Sequence, residues 1–150
     1  MTFGCTTSAA PTLERKTEIV IDPSTSKDTL APWLVYAGAR SIWMETKFYQ
    51  EYPAESSYRY TFREEFEARD SCAMLWIKLK EKDGLQNRYL DDLTMVKRSG
   101  FLREYIWSYF KNSDWKEPED LRLDDFAKWR YVHLTEHIPE TRAVARFKGR

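Results

Sequence analysis

Apolar residues in this chain recur mostly at helical spacing. From Asp28 or Thr29 to about Gln50, the residues Leu30, Leu34, Ala37, Ser41, Met44 and Phe48 share one face at alternating steps of four and three. Trp33, Tyr36, Ile42 and Trp43 widen the apolar surface beyond one stripe, which predicts a central helix with neighbours on more than one side. Pro32 falls in its first turn, where a missing N–H costs little, and Pro53 ends the region. A second helix is expected from about Tyr60 to Lys82, with Phe62, Phe66, Ala73, Trp76 and Ile77 on its inner face. Glu64, Glu65 and Glu67 near its start and Lys78, Lys80 and Lys82 near its end suit the helix dipole, and Gly84 is the expected C-cap. A strand competes over its second half, because Leu75, Ile77 and Leu79 alternate with Trp76, Lys78 and Lys80.

A third helical stretch covers about Leu85 to Lys111. Leu85, Tyr89, Leu93 and Val96 share one face, and Leu102, Tyr105, Ile106 and Tyr109 a later one, with a break at Ser99-Gly100. A fourth helix is expected to open at Glu117-Pro118-Glu119-Asp120, to face inward with Leu123, Phe126, Ala127, Arg130 and Leu134, and to end at Pro139. Thr17 to Asp22 is short and β-branched, so it reads as a strand or an extended arm, and Thr141 to Arg150 either adds a strand beside Ile19-Val20-Ile21 or frays. The fold class is therefore all-α, or mainly α with one short terminal strand pair. Short connections favour an up-and-down bundle of four to five helices. Residues 1–17 read as a flexible tail, and 18–150 as a single helical domain.

Composition narrows the function classes. Lys+Arg and Asp+Glu are both 24 in 150 residues, so the formal net charge is zero, which excludes a globally basic nucleic-acid binder. Six Trp, nine Tyr and eight Phe predict an aromatic-rich core. The basic run Arg142, Arg146, Lys148 and Arg150 reads as a solvated terminus. The longest apolar stretch, Ala31 to Ala39, is far short of the ~20 residues that cross a bilayer, so no transmembrane segment is expected.

The opening Met1-Thr2-Phe3-Gly4-Cys5-Thr6-Thr7-Ser8-Ala9-Ala10 resembles the last part of a secretory signal. Thr7 and Ala9 supply the small side chains that a signal peptidase pocket admits, with the mature chain starting at Ala10. Alternatively, Gly4-Cys5 forms a lipoprotein box with a lipid anchor on Cys5. Export implies the periplasm or cell envelope; without it the protein is cytoplasmic. Cys72 reads as a small buried hydrophobe, and neither cysteine has a neighbouring His to activate it.

The sharpest chemical string is His133-Leu134-Thr135-Glu136-His137, which holds both histidines of the chain. Residues four apart on a helix point the same way, so His133 and His137 could grip one zinc ion. The string resembles the His-x-x-Glu-His pattern of inverted zinc metallopeptidases, in which the Glu is the general base; the resemblance implies that role for Glu136. Those enzymes take a third ligand, a Glu well downstream, where this chain has only Glu140; Glu64 or Glu67 would have to arrive through the fold. The plain alternative is a solvated helix end with its histidines near the negative dipole. Carboxylates at Glu64, Glu65 and Glu67, at Asp91-Asp92 and at Asp124-Asp125 read as solvated faces and caps. A di-iron site needs Glu-x-x-His, and Arg130 and Leu134 stand where those glutamates belong. Most of the tryptophans fall inside expected helices and are assigned to the core. Trp115, in the loop before the fourth helix, is the candidate partner contact.

The sequence therefore reads as a non-catalytic helical interaction protein with an unknown protein partner, associated with the cell envelope. One alternative is a zinc-dependent hydrolase using His133, Glu136 and His137. A further alternative is a small-ligand binder with its pocket between aromatic helices.

Overall fold

The computed structural model describes residues 3–6, 18–110 and 116–133. Two strands, β1 (Phe3–Thr6) and β2 (Glu18–Ile21), precede the helices. The helices are α1 (Lys27–Ile42), a π-helical segment (Trp43–Lys47), α2 (Phe48–Glu51), α3 (Phe62–Asp83), α4 (Arg88–Arg98), α5 (Leu102–Phe110) and α6 (Leu123–His133). The mainly α reading with one short strand pair holds. A pairing that the sequence reading did not anticipate is present: β1 lies antiparallel to β2, Phe3 opposite Ile21 and Thr6 opposite Glu18. Phe3 to Thr6 thus leaves the expected tail and forms a ladder beside α1. The segment 141–150, weighed as a strand beside β2, lies outside the described residues.

Local chemistry explains where the helices start and stop. Ser26 caps α1, its hydroxyl accepting the Asp28 N–H at 3.3 Å. Thr61 caps α3 by accepting the Glu64 N–H at 3.2 Å. Asn87 caps α4 by accepting the Leu90 N–H at 3.0 Å. Gly84 closes α3 with φ 64°, a left-handed value that a side chain resists, and its N–H donates to the Lys80 carbonyl at 2.9 Å. The alternating run from Leu75 to Lys80 stays helical, because it continues a helix already capped at both ends and buries Trp76. The break at Ser99-Gly100 is present, with Gly100 at φ 77° between α4 and α5.

Two faces differ from the pattern-based expectation. In α1 the inward side chains are Thr29, Pro32, Trp33, Tyr36 and Ala37, while Leu34 stands in solvent. The helix is rotated so that Trp33 and Tyr36, rather than Leu34, are fully buried, because they remove more apolar surface from water, while Leu30 packs partly buried at the core edge. The π-helical turn then shifts the phase. Phe48 donates its N–H to the carbonyl of Trp43, five residues back, which lets Trp43, Met44 and Phe48 all point inward. In the fourth helix the acidic stretch Glu117 to Asp120 is not helical, with a turn at Glu119-Asp120, and α6 opens at Leu123. The reason is tertiary: the buried Glu104 of α5 accepts the backbone N–H of Arg122 at 3.0 Å, satisfying a donor just before the helix. Phe126 is the buried residue of α6, with Leu123 and Trp129 partly buried and Ala127 exposed.

The core lies around α3, which packs against α1, α4 and α5. It is aromatic, as the composition predicts. Trp33 stacks on Tyr89 at 5.5 Å between ring centroids, and Phe62 meets Trp107 edge-on at 5.8 Å. Trp33, Trp43, Trp76 and Trp107 are buried, and Trp129 is partly so.

Candidate functional site

The sequence places a polar stretch, Thr61 to Glu67, at the start of the most central helix. A helix with neighbours on several sides has few positions left for water, and the burial period of α3 runs through Thr61, Glu65, Ala68, Cys72 and Trp76. Glu64, Glu65 and Arg69 fall on inner positions. Their side chains are 0%, 0% and 1% exposed. The expectation that Glu64 and Glu65 are solvated is therefore overturned. Glu67 keeps a partly exposed position and pairs with Lys47 at 2.8 Å.

A buried carboxylate must be paired and hydrogen-bonded to remain in a core. Glu65 meets this demand from three elements. The Tyr36 hydroxyl of α1 donates to its two oxygens at 2.7 and 2.9 Å, Arg69 Nε donates at 2.6 Å from one turn further along α3, and the Tyr60 hydroxyl donates from the preceding loop. Glu64 accepts from Arg40 Nε of α1 at 2.8 Å and from the Tyr58 hydroxyl. The guanidinium of Arg40 also lies over the Tyr60 ring at 5.0 Å, and that of Arg69 over Tyr36 and Tyr89 at 5.5 and 5.7 Å. Two acids and two arginines form one network with Tyr36, Tyr58 and Tyr60 under the loop between α2 and α3.

The two neighbouring carboxyls are pushed in opposite directions. Burial pushes Glu64 up to about 7, and the attraction of Arg40 and the Tyr58 hydrogen bond offset only part of it. Burial also opposes the charge on Glu65, but there Arg69 and Arg40, with the Tyr60 and Tyr36 hydroxyls, outweigh it and hold the carboxyl below its ordinary range. Tyr36, Tyr58 and Tyr60 are all raised by burial first and by the adjacent carboxylates second, so they act as hydrogen-bond donors. Chemically, the site can hold or release a proton at Glu64 near neutral pH while Glu65 stays ionised.

A pH dependence follows, with a definite sign. Glu64 has an ordinary value of 4.5 and a folded value of about 7, so the folded state binds its proton more tightly than the unfolded chain. Its contribution is fully present below about pH 4.5 and is lost as pH rises through about 7, a fall of about 3 kcal/mol. Glu65 and Asp91, both lowered, act oppositely: their contributions are present above their ordinary values and are lost on acidification. Urea unfolding across this range is expected to give greatest stability at about pH 5. Glu64→Gln should flatten the fall toward neutrality. An equal slope in that variant would assign the effect to other groups.

The residues singled out from sequence fare differently. His133 is described and exposed, at the end of α6. Its ring stacks on Trp129 at 5.0 Å, and its Nδ1 lies 2.9 Å from the Trp129 carbonyl oxygen. Glu136 and His137 lie outside the described residues, as does Trp115. Among the described residues no group of three or more His, Cys, Asp or Glu is arranged to hold a metal ion. Cys72 is a buried free thiol, pushed up to about 12 by burial, so its reactive thiolate is suppressed. Asp91 accepts from Trp76 Nε1 at 2.9 Å and Lys80 Nζ at 2.6 Å, tying α3 to α4. Asp124 and Asp125 are exposed in the first turn of α6.

Sequence reasoning missed the buried network. Two signals for it were present. Glu65 and Arg69 stand one helical turn apart, and Tyr58 and Tyr60 flank the helix start at alternate positions. Arg40 and Tyr36 could not be joined to them without the fold. The class that these observations define is an all-α bundle with an aromatic core and a buried acid–arginine–tyrosine network. Among the described residues no helix is long and apolar enough to cross a membrane. Comparison with protein-family models, curated proteins and solved structures finds no match.

Proposed function

We propose that this protein acts by contact with a protein partner at the cell envelope and carries out no catalysis of its own. The observation that supports the reading is the distribution of its side chains. Glu64, Glu65, Arg40 and Arg69, the groups best suited to acid–base or anion chemistry, are committed to one another inside the fold. Large apolar side chains meanwhile stand in solvent, with Ile42 57% exposed, Tyr131 89% and Val132 73%. Exposed apolar and aromatic side chains are the usual anchors of protein interfaces. The envelope part of the proposal rests on the Thr7-Ser8-Ala9 string.

The test is site-specific photo-crosslinking in the native host from positions 42 and 132, with fractionation of the cells. A discrete adduct in the envelope fraction that disappears in Tyr131→Glu supports the proposal. Absence of any adduct from both positions overturns it. So does stoichiometric zinc in untagged protein that is lost in the His133→Ala, His137→Ala double variant, which would instead support metal-dependent hydrolysis.

A further inference from the structure

The helix α6 presents a second face to solvent. Phe126 turns inward against the rings of Phe101 and Tyr105. On the other side Asp124, Asp125, Lys128, Tyr131 and Val132 are exposed. Asp124, Lys128 and Tyr131 follow one another at steps of four and three residues, so they form one line along the helix. The line reads acid, base, aromatic, with Asp125 beside its first end and Val132 beside its last.

The α3–α4 pair presents a face of the opposite order. Trp76 Nε1 and Lys80 Nζ both donate to Asp91, at 2.9 and 2.6 Å, and Lys97 donates to Asp70, which sets the level of these two antiparallel helices. At that level Lys78 lies alongside Arg88, and Met74 lies within a turn of Met95. Arg88, Asp92 and Met95 stand on α4 at steps of four and three residues, in the order base, acid, apolar. Arg88 and Met95 are exposed and Asp92 is half-buried; Lys78 and Met74 of α3 are exposed beside them. Met74 and Met95 each stand two residues, and so about half a turn of helix, from the buried Trp76 and Leu93, which puts both on the side away from the core.

Building on the reading of Tyr131 and Val132 as partner anchors, we propose that what they meet is a second copy of this chain: α6 of one copy docks on the α3–α4 face of the other, parallel to its α4. In that register Asp124 meets Arg88, Lys128 meets Asp92 and Tyr131 meets Met95, because both helices carry the same spacing. Asp125 falls beside Lys78, and Val132 on the side of Met74. A slip of one turn either way sets Asp124 against Asp92 or Lys128 against Arg88, and reversing α6 sets Asp124 on Met95, so the charges reject the neighbouring arrangements. The contact is between copies, because Phe126 holds α6 on its own α5 with the outer face turned away. The two faces are unlike, so each copy carries one of each and the association is heterologous. One helix laid on two is small for a stable interface, and the association is weak and concentration-dependent.

Sedimentation velocity of the purified full chain, from micromolar to near-millimolar concentration, tests this. The native chain is expected to associate as concentration rises. Met74→Glu with Met95→Glu disables one face, and Tyr131→Glu with Val132→Glu the other; all four positions are exposed, so the fold is kept. Each double variant alone should stay monomeric, and an equal mixture should form pairs, because each supplies the face that the other lacks. Arg88→Glu and Asp124→Lys should each weaken association on the order of tenfold, and together they should recover it. A native chain that stays monomeric throughout overturns the proposal, as does undiminished association of either double variant or a mixture that does not pair. If the native chain is monomeric and position 132 still crosslinks to a different protein in the host, the second copy fails as the partner while contact with a protein partner stands. No crosslink from position 42 or 132 removes both.

Discussion

Glu65→Ala is expected to destabilise the protein by about 3–5 kcal/mol. That is a large part of the 5–15 kcal/mol that typically separates folded from unfolded domains. The reason is what the substitution leaves behind. Arg69 is 1% exposed, and its Nε lies 2.6 Å from the Glu65 carboxylate. Without that carboxylate, a guanidinium charge stays in the core facing aromatic rings. The Tyr36 and Tyr60 hydroxyls lose the acceptor they share at the same time. Arg69→Met should cost a similar amount by the converse route, leaving Glu65 ionised with only tyrosine donors and the more distant Arg40. The double variant Glu65→Leu, Arg69→Met should recover much of the loss, because no unpaired charge remains. Urea unfolding of the three variants measures this as a double-mutant cycle. A loss of under about 1 kcal/mol in both single variants would mean that the pair is hydrated, contrary to its burial.

Trp76→Ala comes second in expected effect, at about 3–5 kcal/mol. Trp76 is 0% exposed at the meeting of α3 and α4 and is among the largest fully buried side chains. Its removal combines lost apolar burial with a cavity that helices on both sides cannot easily close. It also deletes the 2.9 Å hydrogen bond from the indole N–H to Asp91, although Asp91 keeps Lys80. Trp76→Phe separates the two effects: most of the volume stays, and the hydrogen bond contributes about 1 kcal/mol. Thermal melts of both variants provide the check. If Trp76→Ala and Trp76→Phe were equally destabilised, packing would not be the main term.

The element order was legible along the chain because its signals are local. The prolines Pro32 and Pro53, the glycines Gly84 and Gly100 and the runs of apolar spacing each act within a few residues, so a linear reading finds them. The phase of α1 was less legible. A repeat of four and three set Leu34 on the inner face, whereas the side chains that pack inward are Trp33 and Tyr36, which the pattern counted only as widening that face; the π-helical turn at Trp43–Lys47 is likewise not announced by the pattern. The buried network was hidden for a different reason. A hydropathy pattern counts Glu64, Glu65 and Arg69 as polar and therefore as outward, whereas their positions on α3 point inward.

By itself, the sequence determined that this chain builds helices with an aromatic core, where the first two long helical stretches begin and end to within a few residues, and that a short β-branched segment precedes them. The tertiary structure alone decided which face of each helix turns inward, which strand pairs with β2, and that two acids and two arginines meet below the surface. Arg40 and Glu64 are ion-paired from different helices, 24 residues apart along the chain, and Tyr36 and Glu65 are 29 apart. Helix capping depends on neighbours in the chain, whereas the cost of burying a charge depends on every group brought near it in space.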